Sequence, residues 1–370
     1  MKYKFIAPCA LGTEGLLSKE LSFLGIDDVR ANNGNVEFSG DDFTCAAVNI
    51  GSRIAARVLL VLDRFEATDF DTLYDNVKKI PFENYIGKDD AFPVTGYSLS
   101  SQLHSVPGCQ KIIKKAIVDR LSKAYKISWF KETGKQVGIR FSAQKDLFTV
   151  TIDTTGISLY KRGYRAHSGA APIKETLAAS ICSLARIFPD TLLYDPFCGS
   201  GTILIEAAMM AQKRAPGLKR NFAAETFDFI DKNAFKTART KALDEMIASP
   251  DFRAVGYDLD PECVKLTLEN AKKAGVEHLI SAQVQDVKKL SLPNDRLKVI
   301  TNPPYGERLL DINAAKKLYK TLGEVTPPQK GHGYFIISPD DDFEKEYGLA
   351  AVKKRKLYNG TLQCCLYMYF

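Results

Sequence analysis

Four short segments in the second half of this 370-residue chain set acids, glycines and an amide where strands should end. TLLYD (191–195) is an apolar run closing on Asp195. PFCGSG follows, and Thr202 then opens the apolar TILIEAAMMAQKR. A strand, a Gly-x-Gly turn through Gly199 and Gly201, and a helix start together make a place where backbone can approach a ligand closely. Leu204 stands where the dinucleotide fingerprint has its third glycine or alanine, and no Gly-Lys-Ser/Thr follows as a P-loop requires. AVGYDLDPEC (254–263) ends a second strand at Asp258, the position from which an acid meets a ribose diol in nucleotide-type α/β folds. Asp258, Asp260 and Pro261 also read as a loop and helix cap. Asp286, at the end of SAQVQD (281–286), has an acceptor suited to an adenine amino group. The fourth segment, LKVITNPPYGERL (297–309), is an apolar strand emptying into Asn302, Pro303, Pro304 and Tyr305. Two prolines stiffen that backbone and remove two donors. The Asn302 amide oxygen and the Pro303 carbonyl are left as converging acceptors beside an aromatic ring.

The elements that must hold these segments alternate. From about residue 165 the order is helix, strand, glycine turn, helix, strand, helix, strand, strand, the pattern of a doubly wound parallel sheet. The glycine turn and Asp258 are further apart than the usual ~20 residues. Residues 213–250 therefore read as an insertion, with a loop at PGLKR and a helix over 231–248. TLQCCLYMYF (361–370) reads as a closing strand, and KKRK (353–356) as a solvated face beside one. The first half reads as α+β: strands at 3–9, 33–40, 57–67 and 93–99, and helices at 15–24, from Asp41, from Thr68 or Asp69, and over 108–125. QVGIRFS and LFTVTID alternate in period two around AQKD, a hairpin signature, and ISLYKRGYR (157–165) reads as a third strand. The boundary between the halves falls at 160–170.

Composition narrows the class. With 45% hydrophobic and 26% charged residues the chain can build a core, which excludes disorder, and no run is long and apolar enough to span a membrane. Eight cysteines without a C-x-x-C pair argue against a disulfide scaffold and against zinc, and suit a reducing cytoplasm. Four isolated histidines offer no metal site. The net charge of +7 is unevenly placed: residues 101–170 hold 13 Lys+Arg against 4 Asp+Glu, whereas residues 1–100 hold 10 against 15. A basic surface confined to about 70 residues is the footprint expected for a polyanion partner.

D-P-F-C-G-S-G-T, G-Y-D-L-D, Q-D and N-P-P-Y in series resemble the motifs of class I S-adenosylmethionine-dependent methyltransferases acting on exocyclic or amide nitrogen. GYRAHSGAAPIKETLAASI, DPFCGSGTILIEAA and TNPPYGERL are similar to a narrower group, the bacterial THUMP-domain 23S rRNA guanine-N2 methyltransferases, and SSQLHSVPGCQKIIKKAIVDRL looks like a THUMP helix. The resemblance covers essentially the whole chain. It implies a doubly wound, Rossmann-like class I methyltransferase domain (164–370), preceded by an α+β ferredoxin-like segment (1–60) and a THUMP domain (61–163). It also implies S-adenosyl-L-methionine as cofactor, S-adenosyl-L-homocysteine as product, and RNA, 23S rRNA or a ribosomal precursor, as partner. By the same resemblance, Asp195 orients the methionine amino group and Pro196, Phe197, Cys198, Gly199, Ser200, Gly201 and Thr202 wrap the methionine moiety. Asp258 with Leu259 takes the ribose, Asp286 with Val287 the adenine, and Pro172, Glu175 and Thr176 line the amino-acid end. Asn302 and Pro303 accept the target amine's hydrogens and Tyr305 stacks on the base.

Cytosine-C5 chemistry would need a cysteine where Tyr305 stands, and Cys198 packs rather than attacks. Adenine-N6 methylation and glutamine-amide methylation use the same fourth motif, as do tRNA guanine-N2 enzymes. The basic α+β first half favours structured RNA among these. A non-catalytic ribosome assembly factor is the alternative from another class, and the complete set of Asp195, Gly199, Gly201, Asp258, Asn302 and Tyr305 argues against it. The RNA surface is expected at Lys111, Lys114, Lys115, Arg140, Lys161, Arg162 and Arg165. Some family members carry a second methyltransferase domain; a chain stopping at Phe370 predicts a single reaction.

Overall fold

The computed structural model describes residues 2–165, 173–305 and 312–370, and their strands form two seven-stranded sheets. The first is built from β1 (Tyr3–Pro8), β2 (Val29–Asn32), β3 (Asn35–Gly40), β4 (Leu59–Glu66), β5 (Val94–Leu99), β6 (Ile139–Gln144) and β7 (Leu147–Asp153) in the order β2-β3-β1-β4-β7-β6-β5. Helices α1 (Glu14–Phe23), α2 (Asp42–Gly51), α3 (Phe70–Lys79) and α4 (Val106–Tyr125) accompany it. Side-chain caps start three of them: Asp41 accepts from the Thr44 amide, Asp69 from Thr72 and Ser105 from Gly108. On α4 the expected stripe is buried at Ile113, Ala116, Ile117 and Leu121. The β6–β7 hairpin turns through Lys145 (φ +51°) and Asp146 (φ +65°) without a glycine. Asp146 offsets that strain by accepting the Gln102 amide at 2.7 Å and donating its own N–H to Ser101 Oγ at 3.0 Å.

One apolar cluster runs from Phe5 through Leu60 to Ile152. β4 pairs with β1 on one side and β7 on the other, so a division at residue 60 would pass through a strand shared by both parts. The expected strand at 157–165 is absent. Guanidinium groups take its carbonyls instead, Ile157 by Arg220 and Leu159 by both Arg162 and Arg220, and Arg57 takes that of Gly156 just before it.

The second sheet holds β8 (Leu192–Asp195), β9 (Arg253–Asp258), β10 (Ile280–Val284), β11 (Leu297–Thr301), β12 (Gly333–Ser338), β13 (Lys353–Asn359) and β14 (Leu362–Tyr369), ordered β10-β9-β8-β11-β12-β14-β13. β8 to β12 are parallel and β14 is antiparallel to both its neighbours. The chain turns from one half of the sheet to the other between β8 and β11, the switch point where such sheets bind ligands. The helices are α5 (Glu175–Leu184), α6 (Thr202–Ala211), α7 (Lys232–Asp244), α8 (Pro261–Ala274), α9 (Ile312–Val325) and the short α10 (Phe343–Tyr347). KKRK lies within β13 rather than beside it. The insertion carrying α7 packs away from this layer: Phe222, Phe227 and Ile230 ahead of the helix and Phe235 on it join the apolar cluster of the first sheet.

Helix α6 is buried on nearly every side, and Glu206 within it is fully enclosed. A buried carboxylate needs partners. Arg162 supplies one at 3.3 Å and the Tyr164 hydroxyl donates a second bond at 3.1 Å. Arg162 also donates to the Arg53 carbonyl. Arg162 thus ties the first half to α6, as Arg53 does through the Met209 and Arg214 carbonyls; it is only 6% exposed, inside the protein rather than on the surface where an RNA contact was expected.

Candidate active site

Asp195 ends β8, Asp258 ends β9, Asp286 follows β10 and Asn302 follows β11. These strands are neighbours, so the four side chains stand in a row about 14 Å long at the strands' C-terminal edge. A cavity of about 750 Å³ opens there. Its lining includes Asp195, Pro196, Phe197, Cys198, Gly199, Ser200, Thr202, Asp258, Leu259, Asp286, Val287 and the whole Asn302–Tyr305 turn.

Gly199 (φ +53°) and Gly201 (φ +77°) both take left-handed backbone in the turn. A Cβ on Gly201 would also stand 2.7 Å from Thr267 Cγ2. The Gly199 amide donates to Asp258 Oδ2 at 2.9 Å and the Asp260 amide to Oδ1 at 3.0 Å. Asp258 therefore clasps the glycine loop while keeping lone pairs for a ligand. From α8, Thr267 Oγ1 donates to the Gly199 carbonyl at 2.9 Å and Asn270 Nδ2 to that of Ser200 at 3.0 Å. These two clamps were not expected from the sequence. The signal was present as two polar residues three apart on the buried face of an amphipathic helix.

Asp195 is 1% exposed, and burial pushes its carboxyl up to about 7. Thr301 Oγ1 donates to it at 2.7 Å and the Phe197 amide at 3.2 Å, while no cation among the described residues pairs with it. Burial likewise pushes the Cys198 thiol well above its ordinary value, which keeps it neutral and unsuited to attack.

Other expected residues lie elsewhere. Gly201 caps α6 behind the lining. Glu175 is turned into an ion pair with Arg165 at 3.6 Å and does not line the cavity, nor does Thr176. Pro172 lies outside the described residues. Arg165 is mostly enclosed, donating to the Ile173 carbonyl and to Thr202 Oγ1. These contacts turn it toward the start of α6 rather than outward. Lys114 is held by Glu132 and lies 3.4 Å over the Phe92 ring, and Arg140 pairs with Asp153. Lys111, Lys115 and Lys161 are exposed. Gln285, Cys263, Ala314 and Leu318 also line the cavity without having been singled out. The described residues contain no cluster of metal-ligating side chains, and none of their helices is long and apolar enough to cross a membrane.

The strand order, the switch-point cavity and the acids ending successive strands define a class I methyltransferase fold. Comparison with known proteins gives the same class. A model of the RMKL-like methyltransferase domain matches residues 162–368, that of the RlmL ferredoxin-like domain 4–59 and that of the THUMP domain 67–153. The chain belongs to the RMKL-like methyltransferase family. It is 38% identical to "Putative RNA methyltransferase YpsC" of Bacillus subtilis (strain 168), over 100% of this chain and 96% of that protein. It is 35% identical to ribosomal RNA large subunit methyltransferase K/L of Psychromonas ingrahamii, matching 99% of this chain but spanning only half of that protein's length. A crystal structure of SMU.472, a putative methyltransferase complexed with SAH, superposes with a TM-score of 0.94 at 39% identity, covering 100% of this chain and 98% of that one.

S-adenosyl-L-methionine is the cofactor of this class, and the cavity suits it. The buried Asp195, with no cation paired to it among the described residues, lines the cavity together with Asp258 and Asp286, each of which is followed in the lining by an apolar residue, Leu259 and Val287.

Proposed function

We propose that the chain methylates the exocyclic N2 amine of a guanine in RNA, with 23S ribosomal RNA as substrate. The observation that carries this is the Asn302–Tyr305 turn opening into the same cavity as Asp195, Asp258 and Asp286. Bound S-adenosyl-L-methionine supplies a sulfonium methyl as electrophile. Asp195 holds the methionine ammonium, Asp258 the ribose hydroxyls and Asp286 the adenine amine. An exocyclic amine is a poor nucleophile because its lone pair is delocalised into the ring. Asn302 Oδ1 and the Pro303 carbonyl accept its two hydrogens, favour pyramidalisation and aim the lone pair for in-line displacement. The methylated nitrogen then loses its proton readily, so no strong base is needed. Tyr305 is only 7% exposed, so it meets a base brought inside the cavity, one flipped out or single-stranded.

The THUMP match and the relatives' names support RNA over DNA or protein. In this reading, residues 1–60 and 61–163 present the RNA to a catalytic part at 164–370. Asn302→Ala tests the site: it should keep S-adenosyl-L-methionine affinity in calorimetry and lose methyl transfer to RNA. Retained turnover would remove Asn302 from the chemistry.

A further inference from the structure

Arg186 follows α5 in left-handed backbone, φ +55°. It stands where the helix closes: its N–H donates to the Ser183 carbonyl at 3.1 Å, and that of Ile187 to Cys182 at 3.3 Å. Glycine takes this position without strain and other residues do not, so a cation here is held against local preference. Its side chain is exposed and lines a cleft of about 1080 Å³ with Arg296, Lys298, Lys353 and Arg355. Asp190 is the one side-chain carboxylate among the residues lining this cleft, and none of the five cations forms an ion pair among the described residues; Arg355 gives Nε and one Nη to the Gly12 carbonyl, and the other four have no such bond. The aromatic rings are interleaved with the charges. Phe188 and Phe370 are more than half exposed, Lys353 Nζ lies 5.8 Å from the Phe370 centroid and Lys298 Nζ 5.7 Å from that of Phe335. Lys298 is held below its ordinary pKa first by burial and then by the neighbouring charges of Arg296 and Arg186.

The cleft lies at the opposite end of the sheet from the active site. It takes in Leu297, where β11 begins, while Asn302 follows where β11 ends, about 16 Å further on. Cations that track phosphates, set among open aromatic faces, are the chemistry of single-stranded nucleic-acid binding. An acidic polypeptide would use the charges but leave the open rings without a role. We infer that this cleft is a second RNA contact, remote from the methyl-transfer site, taking backbone phosphates on its cations and stacking bases on Phe188 and Phe370. The inference rests on the RNA reading above and extends the footprint to the far side of the catalytic sheet.

The test uses the full chain and labelled fragments of protein-free 23S rRNA, with anisotropy read across a salt series. Arg186→Gln with Arg296→Gln should weaken binding about tenfold or more and flatten the slope of log K against log salt by about 1.4. S-adenosyl-L-methionine affinity should stay unchanged. Arg186→Gly should raise the unfolding midpoint while weakening RNA binding, a combination misfolding cannot produce. Ultraviolet cross-linking to a uridine decamer should map to peptides containing Phe188 or Phe370. Unaltered affinity and slope in the double variant would overturn the inference, as would loss of polyglutamate binding with RNA binding intact. A wild-type chain that binds no RNA would instead remove the RNA reading itself, and this inference with it.

Discussion

At Asp195, burial holds the carboxyl proton up to about pH 7, which ties cofactor binding to pH. The folded state keeps a proton that the unfolded chain releases near its ordinary value of 3.8. This group's contribution to stability is therefore present below that value and lost as pH rises through about 7. A ligand ammonium needs the ionised form, so the sign is opposite for binding. Calorimetry between pH 5.5 and 8.5 should show S-adenosyl-L-methionine affinity falling up to tenfold per unit below about 7, with Asp195→Asn weak and flat. A flat wild-type profile would contradict the assignment. Gly201 offers a second test. Alanine there meets both left-handed backbone and Thr267, and should cost about 1–3 kcal/mol by urea unfolding and weaken cofactor binding.

Among the elements, α6 shows how the halves are coupled. Arg162→Ala strands Glu206 in the interior and should cost about 3–5 kcal/mol, whereas the double change Arg162→Met with Glu206→Met should recover much of that in urea unfolding. The same element marks the limit of sequence reading. The strand ends bearing Asp195, Asp258, Asp286 and Asn302 were legible because apolar runs close on a polar residue at each. The capped helices from Asp41 and Asp69 were legible for the same local reason. The segment 157–165 imitated a strand through the alternate apolar residues Ile157 and Leu159, but Arg220, distant in sequence, takes the carbonyls of both, and Arg57 that of Gly156 just before them. The burial of Arg162 and Arg165 was hidden likewise: a basic cluster reads as surface until Glu206 and Glu175 are found opposite it. β2 escaped notice because it is only four residues long, two of them polar, and three of the four are exposed.

For the whole molecule, the concentration of charge in residues 101–170 takes a different meaning once Lys114, Arg140, Arg162 and Arg165 are assigned to internal ion pairs and contacts. Of the RNA contacts expected there, Lys111, Lys115 and Lys161 are exposed, and Lys123, Lys126, Lys131 and Lys145 add exposed charge to the same stretch. Charge reversal at Lys111 and Lys115 should weaken RNA binding uniformly across sequences and flatten its salt dependence, and unchanged binding would exclude them. Purified protein would be incubated with radiolabelled S-adenosyl-L-methionine and 23S rRNA from a strain lacking it, and the RNA digested to nucleosides and resolved by mass. Label is expected in N2-methylguanosine at a single position; label in N6-methyladenosine, or none in RNA, would overturn the guanine-N2 assignment.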